Sequence, residues 1–481
     1  MTASQFNLID EPWIPITAMD NVSLKQLFSC SDYTEIGGNP IQKIALIRLL
    51  LAISQAACTP ENEEECQKLG PSGLAKHCLA YLEKHRDDFW LYGEKPFLQM
   101  PKIREVPSIS FSAVMPEIAY GNNAFIFETQ KEKKLTSADK ALLVVTLMGF
   151  ALGDKKANQN ISLTNGYKKK PTKKPGACLG SQGYLHSFIL GLNVHETLWL
   201  NLFSKEQLNE LAYWLNGLGI APWERMPDGE DCEIARDLKE SYLGRLVPLS
   251  RFCFLAEEGL HYSEGIIFSD HKEGGIDPSI GLSFQKKERE AVWVNPEKRP
   301  WRMIIAFLSY LQKSSNQSFD CLFISKGMSR AKLLSDFGIW SGGLRVSSKS
   351  GHQFFSGNDD FVESKIRLSQ EVIGNSDLFW RIEDQIKFLD KISKSISTAV
   401  SDYYKQLKVN GAKHAQLAVN LFWQGCEKYA QELFQLDHSK KLRNKFEKLA
   451  FDVYDQVCHK GTSRQINSWA YNREKIKVSS K

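Results

Sequence analysis

Apolar and polar positions alternate irregularly over the first three quarters of the chain and then settle into one helical period. The opening stretch, FNLIDEPWIPI at 6–16, reads as an extended arm, because Pro12 and Pro15 forbid a helix there. Ser23–Phe28 predicts a short helix. Apolar residues at 41, 44–47, 49–53, 56 and 57 give a wide apolar face and hence a buried helix over Ile41–Ala57, with Arg48 inside it. Residues 60–70 read as a polar, acidic connection, Leu74–His85 as a second helix, and Gly93 with Pro96 as a turn. Residues 101–118 look irregular or extended. Thr136 and Asp139 form a capping-box pattern for a helix running through Leu152, with Gly153 able to end it.

Further along, Tyr184–Trp199 predicts a strand leading into a helix through Leu215, and 218–240 an irregular stretch. Leu246–Ile267 alternates as strands do. The loop-rich 269–300 encloses two strand-like runs, Gly281–Phe284 and Ala291–Val294. Met303–Leu311 reads as an apolar helix, Asp320–Ser325 and Phe337–Arg345 as strands, and Ser347–Phe361 as a polar loop.

After Gly374 the pattern changes. Leu378, Ile382, Ile386, Leu389, Ile392, Ile396, Ala399 and Tyr403 recur at helical spacing. Ala415–Leu436 and Leu442–Cys458 repeat the pattern, and Ser463–Lys475 adds a shorter helix. The expectation is an α+β chain: a large mixed α/β N-terminal domain with many loops over 1–370, then an all-α C-terminal four-helix bundle over 375–481.

At 481 residues the chain exceeds one ordinary core. Its 42% hydrophobic and 24% charged content is that of a soluble globular protein, and the net charge of +5 says little until its distribution is known. None of the ten cysteines has CxxC spacing, which argues against a structural zinc; scattered reduced thiols are the expectation. The N-terminus lacks a basic region and an apolar run, so no signal peptide is expected and the protein reads as cytoplasmic.

The charge gathers in one place. Seven lysines and no acid lie between Lys155 and Lys174, among them Lys168, Lys169, Lys170, Lys173 and Lys174. Prolines and a glycine keep this loop open, so its ammonium groups could follow a phosphate backbone; a merely solubilising loop would look the same by charge alone. The Gly121-Asn122-Asn123 turn has a complementary character. Its amides can bond base edges, and its glycine permits close approach. Phe125 and Phe127 could stack on bases or anchor the loop.

No P-loop, GxGxxG, GxSxG or HExxH occurs. An enzyme reading would rest on Glu264, Asp270, His271 and Lys272, which could bind magnesium and cut a phosphodiester, or on His352, Asp359 and Asp360. Both clusters sit in loops of a kind that is ordinarily solvated, so a metal-dependent nuclease is the alternative and not the leading reading.

Several motifs in order carry a resemblance. FNLIDEPWIPI, ALIRLLLAI at 45–53, KPFLQ at 95–99, NNAF at 122–125, PWE at 222–224, RLVPLSRF at 245–252, PWR at 300–302, GGLR at 342–345 and LFW…E at 421–427 together resemble the large subunit of the type I-E CRISPR Cascade complex, the CasA family. The resemblance spans essentially the whole chain. It implies a non-catalytic subunit of an RNA-guided surveillance complex, placed with other Cascade subunits at the 5′ handle of the guide RNA. Such a subunit recognises the protospacer-adjacent motif (PAM) of double-stranded DNA through the minor groove, helps open the duplex, and docks a helicase-nuclease. By the same resemblance, Asn122, Asn123, Ala124 and Phe125 match the loop reaching toward the guide handle. Asn165-Gly166, followed by Tyr167, falls where a glycine-rich loop lies against the PAM. Lys272, with Lys286 as second choice, matches an inserted lysine. Lys349 or Gln353, in the tip that includes Ser348, matches a duplex-opening wedge. No cofactor or metal is implied.

Overall fold

The computed structural model describes residues 6–115, 134–151, 157–158, 161–164, 183–269, 277–284, 288–295, 299–304, 319–346, 361–370, 375–434 and 439–476. The chain divides into two compact units. One holds residues 1–294, 318–337 and 342–362; the other holds 295–317, 338–341 and 363–481.

In the first unit, helix α1 (Leu24–Ser29) starts at a capping box between Ser23 and Gln26. Helix α2 (Pro40–Ala57) starts at a second one, Asn39 with Gln42, and places Pro40 at its first turn, where a missing N–H costs nothing. By length and composition α2 could cross a membrane, but it is buried around most of its circumference, Lys43 and Arg48 included. It packs against α3 (Glu63–Lys84) and α4 (Ser137–Phe150). The acidic stretch expected as a connection is instead the first half of α3: Asn62 caps it, and Glu63, Glu64 and Glu65 sit where the helix dipole favours negative charge. The helix breaks at Gly70, whose φ of 60° puts it in the left-handed region, immediately before Pro71.

Strand β1 (Ile109–Ser110) precedes α4, whose capping box is the one expected, Thr136 with Asp139. The helix ends at Phe150 and Ala151 is extended, short of the predicted end at Leu152. Strand β2 (His186–Leu190) is buried throughout and leads into α5 (Val194–Leu200). The single helix expected through Leu215 is two, because the chain turns at Asn201–Ser204 and α6 (Lys205–Leu211) is capped afresh by Ser204. The stretch read as irregular contains α7 (Glu233–Lys239), followed by α8 (Tyr242–Leu246).

Strands β3 (Arg251–Leu255) and β4 (Gly259–Glu264) form the hairpin the alternation predicts, in register Arg251↔Glu264 through Leu255↔Leu260, and β1 extends it to the order β1-β4-β3. Helix α4 packs on β3. Strands β5 (Leu282–Ser283), β6 (Glu290–Ala291) and β7 (Phe319–Asp320) make a small sheet in the order β6-β5-β7. The strand expected over Asp320–Ser325 is mostly helix, α9 (Leu322–Ala331). Leu322, Phe323, Ile324, Met328 and Ala331 bury one face of it, and Gly327 lets it approach α5 so closely that a Cβ would stand 2.2 Å from the Leu200 carbonyl. A short apolar run cannot by itself distinguish helix from strand; here tertiary packing decides.

Strand β8 (Asp336–Leu344) matches the predicted strand and is hydrogen-bonded to β9 (Phe361–Ser369). In the second unit, Trp340 Nε1 of β8 donates to the Glu363 carboxylate of β9 at 2.7 Å. Helices α10 (Ser376–Gln406), α11 (Ala412–Glu427), α12 (Ser439–Val457) and α13 (Ser463–Arg473) follow the periodicity read from the sequence. Leu389, Ile392, Ile396, Ala399 and Val400 of α10 are fully buried. Tyr403 Oη donates to the His459 carbonyl at 2.6 Å, and Trp423 Nε1 to Ser393 Oγ at 3.2 Å. The 299–302 segment attaches to the bundle through Arg299–Glu427 and Arg302–Asp390 pairs, both 2.8 Å, with the Arg302 guanidinium 4.1 Å above the Trp423 ring.

Candidate nucleic-acid interface

The residues the sequence singles out lie outside the described residues: Asn122, Asn123 and Phe125; Asn165, Gly166, Tyr167, Lys168, Lys169, Lys170, Lys173 and Lys174; Lys272 and Lys286; Ser348, Lys349 and Gln353. Asp270, His271, His352, Asp359 and Asp360 lie outside them as well. The structure describes how the chain is held on either side of these segments.

The approach to the basic segment is fixed by a buried carboxylate. Glu230 accepts from the backbone N–H of Leu163 at 3.0 and 3.1 Å and from that of Thr164 at 3.1 Å. Thr164 Oγ1 in turn accepts from the Asp231 N–H at 3.1 Å. A Cβ on Gly229 would fall 2.5 Å from Thr164 Oγ1, so only glycine allows this approach.

Past the basic segment, Gly183 has a φ of 64° and lies so close to Val346 that a Cβ would meet its Cγ2 at 2.3 Å. The Gly183 carbonyl accepts from the Val294 N–H at 2.9 Å, and Tyr184 packs on Trp293 with ring centroids 5.1 Å apart. Val346 is the last described residue before Ser347. Gly183 and Val346, the described residues that follow the one segment and precede the other, are therefore adjacent.

The segment carrying Lys272 is gripped at both ends by one guanidinium. Arg245 Nη1 donates to the Ser269 carbonyl at 3.1 Å, and Arg245 contacts the Asp277 carboxylate at 2.6 Å from Nε and 3.2 Å from Nη2. Asp277 is shared with Arg48 of α2, whose Nη2 lies 3.4 Å away. Arg48 also donates to the Arg245 and Leu246 carbonyls and to Ser279 Oγ. All three charged side chains are buried, and among the described residues the two cations share this one carboxylate. His186 Nδ1 lies 3.0 Å from the same Ser279 Oγ. Burial, with the Arg48 charge as the second cause, holds His186 well below its usual pKa, so it is neutral.

Strand β2 and the residues just before it tie these ends together. Ser187 N donates to the Ser279 carbonyl at 2.7 Å, and Gly281 N to the Leu185 carbonyl at 3.0 Å. Residues 183–187 thus touch the chain just beyond Lys272's segment, the chain just before Ser347, and the exit of the basic segment. Described residues flanking three of the four segments named from the sequence meet here. The fourth, around Asn122–Phe125, is flanked by described residues on both sides, and on the far side Lys140 of α4 donates to the Glu257 carbonyl at 3.0 Å.

Sequence reasoning missed Glu230, Asp277 and Gly183. The signal for Asp277 was present in part: an arginine inside an apolar buried helix requires a buried acid, although nothing local names which one. For the nuclease alternative, Glu264 stands on β4 opposite Arg251. Among the described residues, no three of His, Cys, Asp and Glu gather into a metal group. The described cysteines are free thiols; burial pushes those of Cys78 and Cys253 up to about 12, away from reactivity.

The model of the family described as CRISPR-associated protein Cse1 matches residues 7–457. The chain belongs to the Cse1 family. A curated relative, CRISPR-associated protein CasA/Cse1 of Thermus thermophilus, is 30% identical over 224 residues, which cover 44% of this chain and 42% of the relative. That aligned stretch spans less than half the length of the curated relative. The fold of the Cse1-family chain is similar to solved structures over nearly its full length. Thermobifida fusca Cse1 superposes with a TM-score of 0.70 at 17% identity, and T. thermophilus CasA (Cse1) with 0.70 at 18%; in both cases 98% of each chain is covered. A chain from a CRISPR RNA-guided surveillance complex gives a TM-score of 0.71 at 14% identity, covering 98% of this chain and all of that one.

Proposed function

We propose that this chain is the non-catalytic large subunit of a type I-E RNA-guided surveillance complex. In this reading it joins other Cascade subunits and the 5′ handle of the guide RNA in the cytoplasm, recognises the PAM of double-stranded DNA, helps open the duplex for R-loop formation, and docks a helicase-nuclease. The observation that carries the reading is the convergence at residues 183–187, on a Cse1-family fold, of the flanks of the basic, Lys272 and Ser348–Gln353 segments. A surface that reads a short motif and then separates strands needs a groove contact, a backbone contact and a wedge within a few base pairs of one another. Anchors that bring the flanks of those segments together support such an arrangement.

In the division of roles, Asn165, Gly166 and Tyr167 face the PAM, and Lys168, Lys169, Lys170, Lys173 and Lys174 follow the phosphates. Lys272 enters the groove, Ser348, Lys349 and Gln353 form the wedge, and Asn122, Asn123 and Phe125 face the guide end.

The test is a duplex gel shift with the complex assembled from purified subunits, with and without this chain. A PAM-dependent, salt-sensitive shift that disappears when the chain is omitted is expected; a shift indifferent to its presence sinks the proposal. In the same assay Lys168/Lys169/Lys170→Ala should weaken binding to all duplexes alike and lower the salt slope by about 2–3, one unit per lost phosphate contact. Loss confined to one PAM class would instead make those lysines base readers.

A further inference from the structure

Helix α10 carries a second, separate charged surface. Lys387, Lys391, Lys394 and Lys405 are exposed and share one face of the helix, spaced by 4, 3 and 11 residues. At 1.5 Å per residue they span roughly 27 Å. Of the four carboxylates three or four residues from one of them, three are engaged elsewhere and one, Glu383 four residues before Lys387, makes no ion pair among the described residues. Asp384, three residues before Lys387, pairs with Arg443 of α12 at 2.7 Å. Asp390, between Lys387 and Lys391, pairs with Arg302 at 2.8 Å. Asp402, three residues before Lys405, pairs with Lys475 at 2.7 Å.

Each of these three aspartates is taken by a cation from another part of the second unit, while the four lysines of the face make no ion pair among the described residues. The arrangement differs from an ordinary solvated helix face, where acids and lysines three and four apart satisfy each other. Glu383 leaves Lys387, at the N-terminal end of the face, as the one lysine with an acid free at helical spacing, and Asp377 lies further toward the helix start.

We propose that this face of α10 binds the phosphodiester backbone of a nucleic acid strand, as a contact surface distinct from the segments assigned to motif reading. A row of ammonium groups on one helix face, with Lys391, Lys394 and Lys405 left without a free carboxylate within a turn, gives sequence-independent attraction to successive phosphates. An acidic protein surface is the competing partner.

The experiment uses the full chain and a fluorescein-labelled single-stranded oligonucleotide and duplex, with anisotropy read between 50 and 200 mM salt. Replacing Lys387, Lys391, Lys394 and Lys405 together by Ala should weaken binding at least about tenfold at low salt and lower the slope of log affinity against log salt by about 3. The corresponding Lys→Arg variant should restore both, because charge and not ammonium shape is the requirement. Circular dichroism melting of each variant reports whether the bundle is intact.

An unchanged affinity and slope in a folded variant overturns the proposal. So does a variant that binds nucleic acid normally but no longer assembles with the purified partner subunits, since the face would then meet protein. The reading of the N-terminal segments is tested separately: this variant should keep its preference among PAM duplexes, whereas the Lys168/Lys169/Lys170 variant leaves the α10 contribution in place.

Discussion

Asp277 shows how much of the candidate interface depends on single residues. Among the described residues it is the one carboxylate in contact with Arg48 and Arg245, and through Arg245 it fixes the chain at Ser269, on the near side of Lys272. Removing one partner of a buried ion pair leaves the other charge without compensation, which typically costs 3–5 kcal/mol. Asp277→Asn should therefore lower the urea-unfolding free energy of the full chain by about that amount. In the Asp277→Asn background, Arg245→Met should cost less than it does alone, since the guanidinium no longer has a carboxylate to lose. A stability change within about 0.5 kcal/mol for Asp277→Asn would show that the network does not hold the fold. Gly183 and Gly229 act differently, by allowing backbones to approach where any Cβ would collide. None of these roles is visible locally: an aspartate between two glycine-rich stretches and a glycine after glutamine look like loop residues until their partners, far away in the chain, are known.

At the scale of elements, helix starts were the most legible feature. Thr136 with Asp139 could be read directly, because a capping box is a contact between residues three apart. The bundle was legible because eight apolar positions along one helix repeat its period, and a long pattern leaves no competing strand reading. Short elements were not. Helix α9 was mistaken for a strand, and α7 for irregular chain, since each is brief and its packing partners are distant.

Within the bundle, Asp455 of α12 ties down α13. Burial alone would raise its pKa, but bonds from Arg473 at 3.0 Å and Trp469 at 2.7 Å outweigh this and lower it. With the folded-state pKa below the unfolded one, the stabilisation is complete above the ordinary carboxylate range and is lost as pH falls through it. The stability difference between the native chain and Asp455→Asn, measured by denaturant titration, should thus be largest near neutrality and shrink toward pH 3. A difference that grows on acidification would contradict the assigned direction.

For the whole molecule, what matters is that the described flanks of segments far apart in the chain share one set of anchors at residues 183–187. Opening a duplex requires a wedge held rigidly beside the groove contact, because unstacking a base step costs a few kcal/mol. If Gln353 forms part of that wedge, Gln353→Ala should leave initial PAM-duplex binding by the assembled complex within about twofold and reduce permanganate reactivity of the opened thymines severalfold, since wedge contacts act after docking. Equal loss of binding and opening would move Gln353 to the docking step, and unchanged opening would remove it from the wedge.

The sequence alone was enough to place the chain in an α+β class with a helical C-terminal bundle, to locate its one strongly basic stretch, and to reveal its family through motifs kept in order. Those properties come from short-range periodicity, capping and composition, and each can be read in a window of a few residues. The joins at residues 183–187, the sharing of Asp277 by two arginines, and the diversion of three of α10's aspartates to distant cations are contacts between remote residues. Several carboxylates could have met Arg48, and several arginines could have met Asp390. Only the packing of the folded chain selects among them, because burial makes one pairing favourable and leaves the rest to solvent.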